Sequence, residues 1–181
     1  MSKKNTNLEL LLFLLENAKD VSDMTEMKVY KLLYFLDKEY FLKFGKKITT
    51  GMTKNTYGPV FSGLRKEKQF DEYIKLTKKG KKHFYHLKNK DVCLSFSEEQ
   101  RKTLLSALER YKRLKASELV KLSHSEAPFL MTENGGEIDM ENVKYNEVLE
   151  QEEQEKRQEQ CLGFTQDEVH TLASHLQAKY G

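Results

Sequence analysis

The stretch MKVYKLLYFLDKEYFLKF, residues 27–44, decides the predicted fold. Its apolar residues recur at spacings of three and four, which is the pattern of an α-helix with a buried apolar face. Further apolar residues between them leave little polar surface, so we expect this helix to lie at the centre of the protein. Asp23 followed by Glu26 predicts a capping box at its start, and Gly45 predicts its end.

One helix and several short extended segments are predicted around this central helix. Leucines at helical spacing behind Asn7, a good N-cap residue, predict a first helix to about Ala18. β-branched residues predict extended segments near 52–57 and 73–76, with 92–94 as a third candidate strand of the same sheet. The fold class is therefore mainly α (α+β), a compact helical core with a small two- or three-stranded antiparallel sheet.

Two turn-forming positions predict short helices between the extended segments. Pro59, with its φ preset near the helical value, is predicted to open a helix that runs to Arg65. The run Thr77–Gly80 is ambiguous between a hairpin turn and a helix start. The spacing of Phe84 and Leu87 favours the helix.

The next part of the chain predicts two further helices. Ser97 with Gln100 forms the pattern of a capping box and predicts a helix to about Lys112. A shorter helix is predicted at residues 117–123. Pro128 then prevents its continuation, because the residue before a proline is pushed out of the α region.

Charge is distributed unevenly along the chain and indicates two parts. Met1–Gly136 contains 27 basic and 17 acidic residues, whereas Glu137–Gly181 contains 4 and 11. We therefore predict an acidic helical extension at the C-terminal end, with an amphipathic helix at 165–179. The extension is a candidate for docking on a partner or for folding back on the basic body.

Composition predicts a soluble cytoplasmic protein. The apolar share of 38% is too high for intrinsic disorder, and the charged share of 33% is too high for a membrane protein. The longest apolar stretch, Leu8–Leu15, is far shorter than the roughly 20 residues of a membrane span, and no cleavage site for a signal peptide follows it. Cys93 and Cys161 are too few for a disulfide scaffold and are predicted to fill small spaces in the core.

No motif for catalysis is present, so the chain is predicted to be a non-enzymatic protein without a cofactor or metal. The phosphate-loop, dinucleotide-binding and zinc-hydrolase patterns are absent. His83 and His86 have the spacing of a helical metal pair, but the surrounding lysines disfavour a bound cation. His124 and Glu126 could form an acid–base couple, although no motif orients a nucleophile beside them.

The segment Lys43–Lys90 indicates a basic face. It contains 14 basic and 3 acidic residues, and aromatic residues are interleaved with the lysines. Such a face fits either binding to nucleic-acid phosphates or a solvated surface above aromatic core residues.

Three ordered motifs resemble Panacea-domain proteins, the SocA-like antitoxins often described as phage-associated. MKVYKLLYF at residues 27–35 resembles the family's K-L-Q-K-L-L-Y-Y, YGPV at 57–60 resembles its Y-G-P-V, and LSHSEAPF at 122–129 is similar to its S-H-x-E-x-P-W. Val29 and Tyr30 stand where the family often has Leu-Gln, and a phenylalanine replaces the usual tryptophan. The motif residues, predicted to be structural with partner binding as the alternative, are Lys31, Leu32, Leu33, Tyr34, Tyr57, Gly58, Pro59, Val60, His124, Glu126, Pro128 and Phe129.

The resemblance covers about residues 8–145 and implies a Panacea domain at residues 1–145, followed by the extension at residues 146–181. It also implies a function as the antitoxin of a toxin–antitoxin system. Members of this family neutralise a partner toxin by direct protein binding, and one relative instead acts as an adaptor that delivers its toxin to a protease. The alternative prediction is a winged-helix-like DNA-binding regulator, in which the helices at 97–112 and 117–123 form a helix-turn-helix and Lys78–Lys82 form a basic wing.

Overall fold

The computed structural model of the chain describes residues 6–88, 93–151 and 153–154. It confirms the predicted mainly helical α+β class. In chain order, the elements are α1 Thr6–Asn17, α2 Glu26–Phe44, β1 Met52–Asn55, β2 Gly58–Phe61, α3 Phe70–Tyr73, β3 Ile74–Lys79, β4 Lys82–Leu87, α4 Glu98–Tyr111, α5 Ala116–His124 and α6 Ala127–Leu130. Two 3-10 turns lie at Leu64–Lys66 and Met140–Tyr145.

Helix α2 is the central element, as predicted. It packs against α1, α4, α5, β2 and β4, and most of its side chains are buried. Gly45 ends the helix with φ 65°, and its N–H donates to the Phe41 carbonyl at 2.8 Å. The predicted cap at Asp23 is wrong. Thr25, in an extended conformation, caps the helix by accepting from the Lys28 N–H, while the Asp23 carboxylate accepts from Lys28 Nζ at 2.6 Å.

The first helix lies where it was predicted, but Asn7 does not cap it. Helix α1 already includes Asn7, and its leucines are buried in the core. The Asn7 side chain instead bonds to the backbone of Thr50, donating to the carbonyl at 3.1 Å and accepting from the N–H at 2.9 Å. Its amide therefore anchors the chain that leads into β1.

The extended segments predicted near 52–57 and 73–76 each pair with the residues that follow them, so the described residues form two antiparallel hairpins rather than one sheet. In the first hairpin, Met52 pairs with Phe61 and Lys54 with Pro59. The helix predicted from Pro59 is wrong, because a two-stranded sheet tolerates a proline whose missing N–H is not needed. The helical structure in this segment is limited to the 3-10 turn Leu64–Lys66.

The helix predicted after Thr77 is also wrong, because β3 and β4 form the second hairpin. Their register pairs Ile74 with Leu87 and Lys79 with Lys82, which leaves a two-residue loop. Gly80 begins that loop with φ 59°, a backbone conformation that favours glycine in tight hairpins. Residues 93–94 form no strand, and residue 92 lies outside the described residues.

Helices α4 and α5 confirm the predictions for residues 97–112 and 117–123. Ser97 Oγ accepts from the Gln100 N–H at 3.3 Å, and Gln100 Oε1 accepts from the Ser97 N–H at 2.8 Å, so the capping box is present. Helix α5 ends at His124 as expected. Pro128 then lies in the first turn of α6, where its missing N–H costs nothing.

The contacts divide the chain into two compact units, Met1–Val143 and Lys144–Gly181. The hydrophobic core of the first unit extends from Leu8 to Met140. In the second unit, residues 146–151 and 153–154 are helical. The domain boundary at 145/146 stays a prediction.

The predictions for the C-terminal helix and the two cysteines have different outcomes. The helix predicted at 165–179 and the burial predicted for Cys161 lie outside the described residues. Cys93 is exposed, so its predicted role in the core is wrong. Among the described residues, no helix has the length and apolar character of a membrane span.

Candidate functional site

The three sequence motifs converge on one region of the first unit. Lys31 on α2 donates a hydrogen bond from Nζ to the Pro59 carbonyl of β2 at 2.8 Å. Three residues further along α2, the Tyr34 hydroxyl donates to Glu126 Oε2 at 3.5 Å, in the connection between α5 and α6. Helix α2 therefore holds both of the other motifs, and we call this region the motif cluster.

Lys31 is a buried amine at the centre of the motif cluster. Only 1% of its surface is exposed, and burial lowers its pKa to about 8. Gly58 lies against it: a Cβ atom there would stand 2.7 Å from Lys31 Cε and 3.1 Å from Ser123 Oγ. Gly58 also has φ 93°. The second motif thus needs glycine both for its backbone conformation and for the space that the lysine and the serine occupy.

Glu126 fixes the third motif to α2 through a charged pair. Its Oε1 lies 2.6 Å from Lys38 Nζ, and both side chains are largely buried. Burial and the negative charge of Glu126 raise the pKa of Tyr34 well above its usual value, so its hydroxyl remains a hydrogen-bond donor. Sequence reasoning missed Lys38, although it lies one helical turn after Tyr34 on the same side of α2.

His124 packs as an aromatic ring. Its ring stacks on Phe129 with a centroid distance of 4.4 Å and an interplanar angle of 10°. Nε2 is buried and has no hydrogen-bond partner among the described residues. Burial and the charges of Lys31 and Lys54 lower the pKa of His124, so the neutral ring is favoured. Lys54 Nζ stands 4.7 Å from the centre of the Phe129 ring.

The remaining motif residues divide by exposure. Those that are buried are Leu32, Leu33, Gly58, Pro59, Pro128 and Phe129. Val60 is half-buried, whereas Tyr57 is 66% exposed at the turn between β1 and β2.

Several exposed apolar side chains belong to the second and third motifs or directly follow the third. Besides Tyr57, they are Leu122 on α5, Leu130 on α6 and Met131 directly after it, with Leu130 and Met131 50% and 56% exposed. The Leu130 carbonyl accepts from Lys54 Nζ at 3.5 Å, which links α6 to β1. Sequence reasoning missed Leu130 and Met131, although they follow the third motif directly.

A buried carboxylate positions the chain that enters β1. Asp37 on α2 is fully buried and accepts hydrogen bonds from the Ile48 N–H at 2.6 Å and from the N–H and hydroxyl of Thr49. Burial raises its pKa, while these donors act in the opposite direction. The Asp37 carboxylate therefore accepts the hydrogen bonds of the Ile48 and Thr49 N–H groups, in place of backbone carbonyls.

The two histidines considered as a metal pair do not form one. His83 and His86 lie on strand β4, where successive side chains alternate between the two faces. Because they are three positions apart, they point to opposite faces. His83 Nδ1 is 3.8 Å from Glu26 Oε2, and His86 Nε2 is 2.8 Å from Thr77 Oγ1. Within residues 6–88, 93–151 and 153–154, no group of three or more ligand side chains could hold a metal ion.

These features define a small mainly helical domain in which, among the described residues, helices α1, α4 and α5 and the two β-hairpins pack against one buried helix, α2. Comparison with known families agrees with the motifs: the family model described as "Antitoxin SocA-like, Panacea domain" matches residues 29–129. This match covers more than half of the chain, and the chain belongs to that family. No curated protein and no solved structure matches it.

Proposed function

We propose that this protein is a cytoplasmic antitoxin that neutralises a partner toxin by binding it directly. The observation that carries the proposal is the match to the SocA-like antitoxin family, which covers all but the first residues of the three motifs. The arrangement of the motif cluster supports a binding role. Its polar groups are used to hold α2, the first hairpin and α5–α6 together, and we propose that none of them transfers a proton.

The exposed apolar residues around the motif cluster form the proposed toxin-binding face. Interface cores are rich in aromatic residues and methionine, and large exposed apolar side chains mark such surfaces. Tyr57, Leu130 and Met131 have this character, and Leu122 adds a fourth apolar side chain on α5. The segments that carry them are joined to α2 by the contacts of Lys31 with Pro59 and of Lys38 with Glu126, so little ordering of the backbone is needed on binding.

Co-expression tests this proposal. The chain and the product of the neighbouring gene are expressed from separate inducible promoters, and growth is measured. We expect the neighbouring product alone to stop growth and the pair to grow. His83→Ala serves as a control that should still rescue growth, because no proton transfer is required. A neighbour that is harmless alone, or a toxin that remains fully active beside this chain, would contradict the proposal.

Delivery of the toxin to a protease is the second way in which such a protein could act. Blocking leaves the toxin level unchanged, whereas delivery lowers it. The steady-state toxin level with and without the antitoxin, measured by immunoblotting, separates the two.

The winged-helix alternative requires α5 to contact the bases of DNA in the major groove. Helix α5 buries Leu119 and Ser123, and its exposed face carries Glu118, which repels phosphates, beside Lys121. We therefore expect no preference for the protein's own promoter over a scrambled duplex. A strong preference would favour the regulator.

A further inference from the structure

The second hairpin carries a row of cations on its solvent face. The register places three cross-strand pairs on this face: Lys75 opposite His86, Thr77 opposite Phe84, and Lys79 opposite Lys82. All three lysines are exposed, as are Lys78 and Lys81 beside the loop. Residues 74–87 contain no acidic residue.

Among the residues that the structure describes, these lysines have no acidic partner. Lysines directly opposite each other destabilise a two-stranded sheet. The ion pairs formed by the described residues give no carboxylate to Lys75, Lys78, Lys79, Lys81 or Lys82. By contrast, Lys28, Lys38 and Lys112 each have an acidic partner. An anionic ligand would relieve the repulsion within the hairpin.

The opposite face holds the hairpin firmly on the core. Ile74 and Tyr85 are buried, and the Tyr85 hydroxyl donates to Glu26 Oε1 at 3.1 Å and accepts from Arg65 Nε at 3.3 Å. The Tyr85 N–H donates to the Met24 carbonyl at 3.0 Å. The lysines are therefore exposed on a hairpin that is attached to the core by these contacts.

A groove runs along the same strand. Its volume is about 1310 Å³, and its lining includes Phe84 and His86 from β4, Lys88 directly after this strand, and Leu15 and Lys19 from the region of α1. Phe84 is half-buried and His86 is exposed. Proteins that bind single-stranded nucleic acids combine a row of cationic side chains with aromatic rings. The cations contact the phosphates, and the bases stack on the rings.

We propose that this hairpin and groove bind single-stranded nucleic acid, with phosphates on Lys79 and Lys82 and a base against His86. A membrane or a protein partner would need an apolar anchor. None of the large exposed hydrophobic residues of the described chain lies on β3 or β4. The site is distinct from the proposed toxin-binding face, and its test does not depend on a toxin.

Fluorescence anisotropy of the full chain with labelled oligo(U), oligo(dT) and duplex DNA of about 20 nucleotides tests the proposal, at about 50 and about 200 mM salt. We expect both single strands to bind more tightly than the duplex. The difference between oligo(U) and oligo(dT) identifies the natural ligand as RNA or DNA. Lys79→Gln/Lys82→Gln should lose about tenfold in affinity and flatten the salt dependence by about 1.4 in log–log slope.

Two further variants sharpen the test. His86→Ala should lose about fivefold, as expected for one lost stacking contact. Lys115→Gln/Lys121→Gln removes the same charge from the region of α5 and should bind as the unmodified chain does. Four outcomes overturn the proposal: no binding at the lower salt, equally tight binding of the duplex, a larger loss in the control than in the hairpin variant, or tighter binding to phosphatidylserine vesicles.

Discussion

At Gly58, next to the Pro59 carbonyl, the backbone of the second motif lies close to the Lys31 side chain of the first. Gly58→Ala should lower the free energy of unfolding by about 2–4 kcal/mol, because a left-handed conformation of a non-glycine residue costs about 1–3 kcal/mol and the new methyl group also meets Lys31. Urea unfolding followed by circular dichroism measures this loss.

Gly51 provides the matched control for that change. It has φ 71°, and a Cβ atom there would meet nothing within 4 Å. Gly51→Ala should therefore show only the backbone cost of about 1 kcal/mol. Equal losses at Gly51 and Gly58 would mean that the close approach to Lys31 does not matter.

Lys31 should make stability depend on pH above neutrality. Its pKa is about 8 in the folded protein against a usual value of 10.5, so between these values the unfolded chain holds a proton that the folded chain lacks. Stability therefore rises with pH in this window and is insensitive to Lys31 below it. Between about pH 7 and about pH 9.5, the unfolding free energy should rise by about 2 kcal/mol relative to Lys31→Met.

The Lys31→Met variant also controls for the tyrosines. Tyr34 and Tyr85 have raised pKa values and reduce stability at high pH, but they do so equally in both proteins. Parallel pH profiles of the two proteins would show that Lys31 stays charged in the folded state.

At the scale of elements, Glu26 connects the start of α2 to the second hairpin. Its Oε1 accepts from the Tyr30 hydroxyl at 2.8 Å and from the Tyr85 hydroxyl, and it lies 2.7 Å from Arg65 Nη2. Glu26→Ala should cost about 2 kcal/mol, because these partly buried donors lose their shared acceptor. Thermal or urea unfolding measures the loss.

Glu16 offers the comparison, since it pairs only at the surface with Lys19 three residues later. Glu16→Ala should cost less than about 0.5 kcal/mol. If the two variants lose the same stability, the Glu26 cluster does not fasten the hairpin to the core.

The sequence predicted the elements whose signal is local and missed those set by pairing. The α2 helix follows from its apolar pattern, and the capping box at Ser97 is a local hydrogen-bond motif. The segment after Thr77 has spacings that fit a helix as well as a strand, and only pairing with Ile74–Lys79 decides between them. Pro59 was likewise misread, because its place on a two-stranded sheet depends on a partner strand.

The candidate site was predictable only in part for the same reason. The motifs identified Lys31, Gly58 and Glu126, yet nothing local shows that the lysine amine reaches the Pro59 carbonyl or that Lys38 pairs with Glu126. These contacts join residues far apart in the chain, so they depend on the packing of α2 against the first hairpin and α5.

At the scale of the whole molecule, the apolar and the basic surfaces lie on different elements. The exposed apolar residues of the motif cluster belong to the first hairpin, to α5, and to α6 with the residue after it. The lysines that have no acidic partner among the described residues belong to the second hairpin. One surface is suited to an apolar partner and the other to an anion. Mutations should therefore separate toxin binding from nucleic-acid binding.

Met131→Glu tests the apolar surface. At 56% exposure, a glutamate there leaves the fold intact, but it would place a charge in the desolvated centre of the proposed interface. We expect the affinity for the co-purified toxin, measured by isothermal titration, to fall at least about tenfold, which is about 1.4 kcal/mol. Growth rescue should weaken in parallel, while the melting temperature stays within about 2 °C of the unmodified chain.

Leu42→Glu is the matched control, because Leu42 is 57% exposed near the end of α2 and lies outside the motif cluster. It introduces the same charge at the same exposure, so any general effect of an added negative charge on toxin binding appears in both variants. If Leu42→Glu weakens toxin binding and Met131→Glu does not, the toxin binds elsewhere on this protein. Loss in Met131→Glu alone would instead assign the binding energy to the surface that the three family motifs hold in place.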